Sequence, residues 1–188
     1  MPTLLLTHGA GSNRNAPLLA AVQNALTGID VVRYDLPFRQ ARPKGPPRPS
    51  DGVHDRAGLK QEILALKERG SGPVYIGGVS YGGRQCSMLT AEEPGLVDGL
   101  FLLSYPLHAP GKPELPRIAH LPNIAVPTLF IHGSRDPFGT LEEIENAMRL
   151  IPARTRLVRV QGAGHDLKGA APAAAAAFQE FFTAEFLK

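Results

Sequence analysis

The chain has 188 residues, of which 43% are hydrophobic and 20% charged, a size and balance ordinary for one globular domain large enough to bury a continuous core. The formal net charge is +3, and the basic side chains are scattered except around Arg39, Arg42, Lys44 and Arg48, which argues against a nucleic-acid partner. Cys86 is alone, so an intrachain disulfide is excluded and a reducing cytoplasm fits; with no signal-peptide pattern and no apolar run near the roughly 20 residues a bilayer requires, neither export nor membrane insertion is expected.

In chain order, short apolar runs ending in Gly, Pro or Asp alternate with segments of helical period. The runs at 3–7, 30–34, 74–78, 99–103, 128–132 and 156–160 read as strands, several of them nearly continuous in Val, Ile and Leu, as strands buried on both faces do. Helices are predicted over 17–26, 59–69, 82–93, 141–150 and about 172–186, with Pro17 and Pro172 placed where a first turn tolerates proline. The apolar stripe of the second helix is Leu59, Ile63, Leu64 and Leu66, and that of the last is Phe178, Phe181, Phe182 and Phe186, both read as core packing. The Pro-rich stretches 37–55 and 106–127 are expected to be irregular. Strand and helix alternating throughout predict a three-layer α/β/α sandwich on a mostly parallel six-stranded sheet, and residues 1–188 are expected to form a single domain.

Gly78-Val79-Ser80-Tyr81-Gly82 is a G-x-S-x-G pentapeptide lying between a predicted strand and a predicted helix, the context of a nucleophile elbow. A serine hydroxyl is a weak nucleophile near neutral pH and needs a base, itself oriented by a third group. Asp136 leaves the fifth strand in His132-Gly133-Ser134-Arg135-Asp136, and His165 follows the sixth in Gly162-Ala163-Gly164-His165. No acid follows the fourth strand, which ends Leu103-Ser104-Tyr105-Pro106, so Asp136 has no rival. Asp166 adjoins His165 in sequence, and adjacent side chains rarely face each other productively. Ser80, Asp136 and His165 are therefore the candidate catalytic residues. His8-Gly9-Ala10-Gly11, after the first strand, has the H-G-x-G form of an oxyanion loop. The backbone N–H groups of Ala10 and Tyr81 are the candidate oxyanion donors, with Gly11 as a fallback, and His8 reads as a brace for the loop.

At these residues the sequence resembles the α/β-hydrolase superfamily, and its short form is similar to the dienelactone-hydrolase-like and KANL/testis-expressed-like small hydrolases. The resemblance spans almost the whole chain. It implies a triad above the carboxyl ends of the strands, with two departures: the chain starts at the strand before the oxyanion loop, without the usual first antiparallel pair, and only 106–127 stands where larger members insert a lid. Dienelactone hydrolases use cysteine where this chain has Ser80, which points away from that particular activity.

These features predict a lidless serine hydrolase cleaving a carboxylic ester or thioester through an acyl-Ser80 intermediate, with a small-molecule acyl substrate. A small peptidase and a non-catalytic scaffold serving as an interaction module remain alternatives. No cofactor or metal is expected, since no His, Cys, Asp or Glu cluster has ligand spacing and no Gly-rich loop carries a P-loop lysine. The basic segment 38–48 reads first as a solvated loop; its guanidinium groups are alternatively a clamp for carboxylate or phosphate. Cys86 reads as a small buried apolar group. Oligomeric state is not legible.

Overall fold

A computed structural model describes residues 1–70 and 72–183. The elements run β1 (Thr3–Thr7), α1 (Pro17–Ala25), β2 (Asp30–Tyr34), α2 (Pro37–Ala41), α3 (Asp51–Arg69), β3 (Val74–Val79), α4 (Tyr81–Glu92), β4 (Gly99–Leu103), β5 (Thr128–Gly133), α5 (Leu141–Met148), β6 (Thr155–Val160) and α6 (Ala171–Thr183). The six strands form one sheet in the order β2-β1-β3-β4-β5-β6, and every adjacent pair is parallel. No helix among the described residues is long and apolar enough to cross a membrane.

Leu4, Leu5 and Leu6 are fully buried, and alternation sends them to opposite faces of the sheet. Leu5 joins Leu59, Ile76, Leu89, Phe130 and Ile144 in a core under α3, α4 and α5. Leu4 and Leu6 join Leu19, Val22, Phe101, Leu103 and Phe178 in a second core under α1 and α6. Each such aliphatic side chain contributes about 1.5–3 kcal/mol by leaving water, which drives both layers onto the sheet. In α6, Ala174 and Ala175 let the helix approach closely, and Phe178 packs edge-on against Tyr75 and Phe101 at ring separations of 5.4 and 5.1 Å. The expected Phe186 lies outside the described residues.

Residues 37–55 depart from the irregular stretch expected of them. Pro37 sits at the first position of α2, where its missing N–H costs nothing, and α3 begins at Asp51, whose carboxylate accepts the Arg48 N–H at 2.7 Å. The buried stripe of α3 is Asp55, Leu59, Ile63 and Leu66, whereas Leu64, expected on that stripe, is 44% exposed. Asp55 is buried because the Phe38 N–H (2.9 Å) and the Tyr81 hydroxyl (2.7 Å) both donate to it, so a polar residue holds a core position that an apolar pattern cannot reveal. Between β4 and β5 the described chain forms only a 3-10 turn, Leu121–Asn123, with no cap domain.

The chain leaves β1 for β2 at one edge and then returns past β1 to β3. The reversal opens a crevice at the carboxyl ends of β1 and β3, the place where open α/β sheets hold ligands.

Candidate active site

The turn from β3 into α4 carries Ser80 at φ 50° and ψ −117°, a left-handed conformation that costs a non-glycine residue roughly 1–3 kcal/mol. Neighbouring contacts hold it there: the Ser80 N–H donates to Leu103 O at 2.9 Å. The crossing is too tight for side chains at the flanking glycines. A Cβ on Gly78 would lie 2.7 Å from the Gly83 nitrogen, and one on Gly82 would lie 2.4 Å from His8 O. The pentapeptide glycines are thus a packing requirement of the turn, and Gly82 also seats the loop after β1 against α4.

His165 bridges the other two candidates. Its Nδ1–H donates to Asp136 Oδ2 at 2.8 Å, leaving Nε2 to accept the Ser80 hydroxyl proton at 2.8 Å. Asp136 is buried; its other oxygen accepts the Phe138 N–H at 2.9 Å, and the Phe138 ring stacks on His165 at a centroid distance of 4.2 Å. The turns carrying Asp136 and His165 are tied together, because Arg135 N–H donates to Ala163 O (2.9 Å) and Gly162 N–H donates to Ser134 Oγ (2.8 Å). Beneath Asp136 lies the fully buried His132, whose Nε2–H donates to Gly139 O at 2.8 Å. Burial lowers the basicity of His132, so it stays neutral there.

The loop after β1 brings Ala10 beside Ser80 and Tyr81, and all three border one cleft. Tyr81 opens α4, where its amide has no intrahelical acceptor and the helix dipole adds positive potential. His8 acts as the expected brace: its Nδ1–H donates to Gly9 O (2.8 Å) and its Nε2 accepts the Leu36 N–H (3.2 Å). Burial lowers its basicity as well, consistent with a neutral ring.

Arg39 braces the same loop, although the sequence placed it in a solvated basic segment. It is 7% exposed, and its guanidinium donates to Ser12 O (2.7 Å), Ala10 O (2.8 Å), Gly45 O (3.0 Å) and Arg42 O (3.2 Å). It is therefore neither solvated nor free to clamp a ligand. Arg42 is likewise taken, by Asp51 at 2.5 Å. Cys86 is buried and its Sγ–H donates to Gly77 O at 3.4 Å, with burial pushing the thiol pKa up, as an inert core group requires.

Ser80 stands where two clefts meet, and Ala10 and Phe138 also border both. One, of about 950 Å³, runs over α1 and the loop after β6 and is walled by Ala16, Leu18, Val79, Leu167 and Pro172 among others. The other, of about 600 Å³, runs over the start of α3 and α4 and is walled by Arg48, Arg56, Arg84, Gln85, Met88 and Arg117 among others. Sequence reasoning missed Phe138, Arg56, Arg84 and Arg117. Of these only Arg84, one helical turn beyond Ser80, carries a local signal. Among the described residues no group of three or more His, Cys, Asp and Glu side chains is placed to hold a metal ion.

A family model described as an alpha/beta hydrolase domain matches residues 1–180. Among solved structures, dienelactone hydrolase from Anabaena variabilis is similar over 98% of this chain and 86% of its own, at 24% identity and a TM-score of 0.76. An alpha-beta serine hydrolase homologue from Coxiella burnetii is similar over 96% of this chain and 84% of its own, at 18% identity and a TM-score of 0.76. Monoacylglycerol lipase from Paleococcus ferrophilus is similar over 97% of this chain and 94% of its own, at 15% identity and a TM-score of 0.74. At these identities the likeness to each structure is one of fold.

Proposed function

We propose that this chain, which belongs to the alpha/beta hydrolase family, is a serine hydrolase that cleaves a carboxylic ester or thioester through an acyl-Ser80 intermediate. The observation that carries this reading is the unbroken relay from Asp136 through His165 to Ser80, with 2.8 Å at each step.

In the forward step His165 Nε2 takes the hydroxyl proton as Ser80 Oγ attacks the acyl carbon. The imidazolium that forms is stabilised by Asp136, which keeps the ring in the Nδ1–H tautomer without itself taking the proton. The oxyanion that develops lies toward the amides of Ala10 and Tyr81, preorganised donors whose effect is large because they need not reorient as charge appears. His165 then protonates the leaving group, and the acyl-enzyme is hydrolysed when His165 deprotonates a water on the same side. With no cap over the site, water reaches the acyl-enzyme readily, which favours hydrolysis over acyl transfer. The names of two proteins of like fold, a dienelactone hydrolase and a monoacylglycerol lipase, belong to ester chemistry and support the choice of bond.

The test is incubation with a fluorophosphonate probe and mapping of the adduct by mass spectrometry. Label on Ser80, absent in Ser80→Ala, is expected; a folded wild-type protein that takes no label would overturn the reading in favour of a non-catalytic scaffold.

A further inference from the structure

We propose that the substrate carries an oxyanion group, a carboxylate or a phosphate, which docks among Arg84, Arg117, Arg56 and Arg48 while its apolar part lies in the cleft on the other side of Ser80. The inference rests on the serine-hydrolase reading for its orientation about the scissile bond, but the anion site stands on observations of its own.

Four guanidinium groups wall the cleft of about 600 Å³ beside Ser80, and no Asp or Glu is among the described residues bordering it. Arg56 is paired with Glu92 at 2.8 Å, and it also donates to Gln85 Oε1 at 2.9 Å. Arg48, Arg84 and Arg117 form no ion pair with a described residue. Arg84 Nε is buried without a hydrogen-bond partner among the described residues, and Arg117 donates from Nη1 to Pro106 O at 3.1 Å.

Their fields overlap. Arg117 is made a weaker cation first by burial and then by the charge of Arg84, and His120 is pushed down to about 4 by burial and by the charges of Arg84 and Arg56. Arg84 and Arg117, like charges in a partly buried cleft without an ion-pair partner among the described residues, are unfavourable together until an anion arrives, and a planar guanidinium pair matches carboxylate or phosphate oxygens.

The two clefts differ in kind as well as in place. The arginine cleft lies against α3 and α4, on the sheet face of one core, and the larger cleft lies against α1 and α6, on the face of the other. A scissile carbonyl held at Ser80 therefore has a cationic wall on one side and an apolar wall on the other, which selects a substrate charged at one end.

The experiment compares kcat/KM for three esters: 4-nitrophenyl butyrate, mono-4-nitrophenyl glutarate with the charge on the acyl side, and the butyryl ester of 4-hydroxybenzoate with the charge on the leaving side. One of the charged esters should be preferred over the neutral one by about tenfold or more, and that preference should fall by about tenfold in both Arg84→Gln and Arg117→Gln. Absence of any preference, or a preference that survives both substitutions, overturns the proposal.

A second arm does not depend on turnover. Glutarate and inorganic phosphate are titrated calorimetrically into Ser80→Ala and into Ser80→Ala combined with Arg117→Gln. Saturable binding of either anion that is lost in the double variant supports the site and says which oxyanion it prefers; no binding of either refutes it. Binding by Ser80→Ala with no fluorophosphonate labelling of the wild type keeps the anion site and sinks the hydrolase reading. Labelling without binding or preference does the reverse.

Discussion

Replacing Arg39 by Met removes the guanidinium, which lies over the Phe38 ring at 4.9 Å and ties the candidate oxyanion loop down. Two of its bonds, to Ala10 O at 2.8 Å and to Ser12 O at 2.7 Å, hold that loop, and the other two hold the turn at 42–45. A hydrogen bond to a charged group contributes about 1.5–3 kcal/mol. Ala10 and Ser12 are only half-buried, so water replaces part of what is lost, and a stability loss of about 2–3 kcal/mol follows. For a chain of this size that lowers Tm by roughly 5–10 °C. The catalytic effect is separate. Loss of a whole oxyanion donor costs about 10²- to 10³-fold in kcat, and an Ala10 amide that wanders without being deleted should cost about 10- to 100-fold. The assay is kcat and KM on a 4-nitrophenyl ester, together with the rate of fluorophosphonate labelling and a urea melt. The loss should fall on kcat and on the labelling rate, with KM little changed, and Arg39→Lys should recover only part of it because an ammonium cannot span several carbonyls. A variant that is less stable yet within about twofold of wild type in kcat would show that Arg39 staples the fold without positioning the loop.

Asp136→Asn should leave the fold intact and lower kcat by about 10³- to 10⁴-fold, because an amide that donates toward Nδ1 stabilises the wrong tautomer of His165; a loss under tenfold would count against Asp136 as the orienting acid. Ser80→Gly should be more stable than Ser80→Ala by about 1–2 kcal/mol, a few degrees in Tm, because only glycine occupies φ 50° and ψ −117° without strain; equal melting temperatures would remove the strain argument. His120 sets part of the acid limb of stability. Folded, it takes a proton only below about 4, whereas an unfolded imidazole does so near 6.5, so between these values the unfolded chain holds more protons and stability falls as pH drops. That loss, on the order of 2 kcal/mol after allowing for partial exposure, should be present in urea melts of the wild type and absent in His120→Asn. Parallel acid limbs for the two proteins would contradict it.

The strands and the Ser80 elbow are legible in the sequence because their signals are local. A strand buried on both faces is a run of Val, Ile and Leu, and a turn that must cross its neighbour within 3 Å of an absent Cβ needs glycine at fixed offsets, as Gly78 and Gly82 show. Asp136 and His165 are legible for a related reason, since each follows a strand directly and a parallel sheet delivers every such turn to the same end. The resemblance to the hydrolase superfamily rests on these same short segments.

What only the tertiary structure decided is whatever depends on partners distant in the chain. Asp55 breaks the apolar pattern of α3, yet it is buried because Phe38 and Tyr81 reach it from other elements. Arg39 sits in a basic, proline-rich segment that composition reads as solvated, and it is buried because four carbonyls from two loops converge on it. Arg84 lies one helical turn beyond Ser80, but Arg117 belongs to a proline-rich connection, and nothing in that segment announces that it shares one cleft with Arg84 and Ser80. Periodicity reports which side of an element faces the core; it carries no information about which side chains of separate loops meet, because packing between the loops sets that.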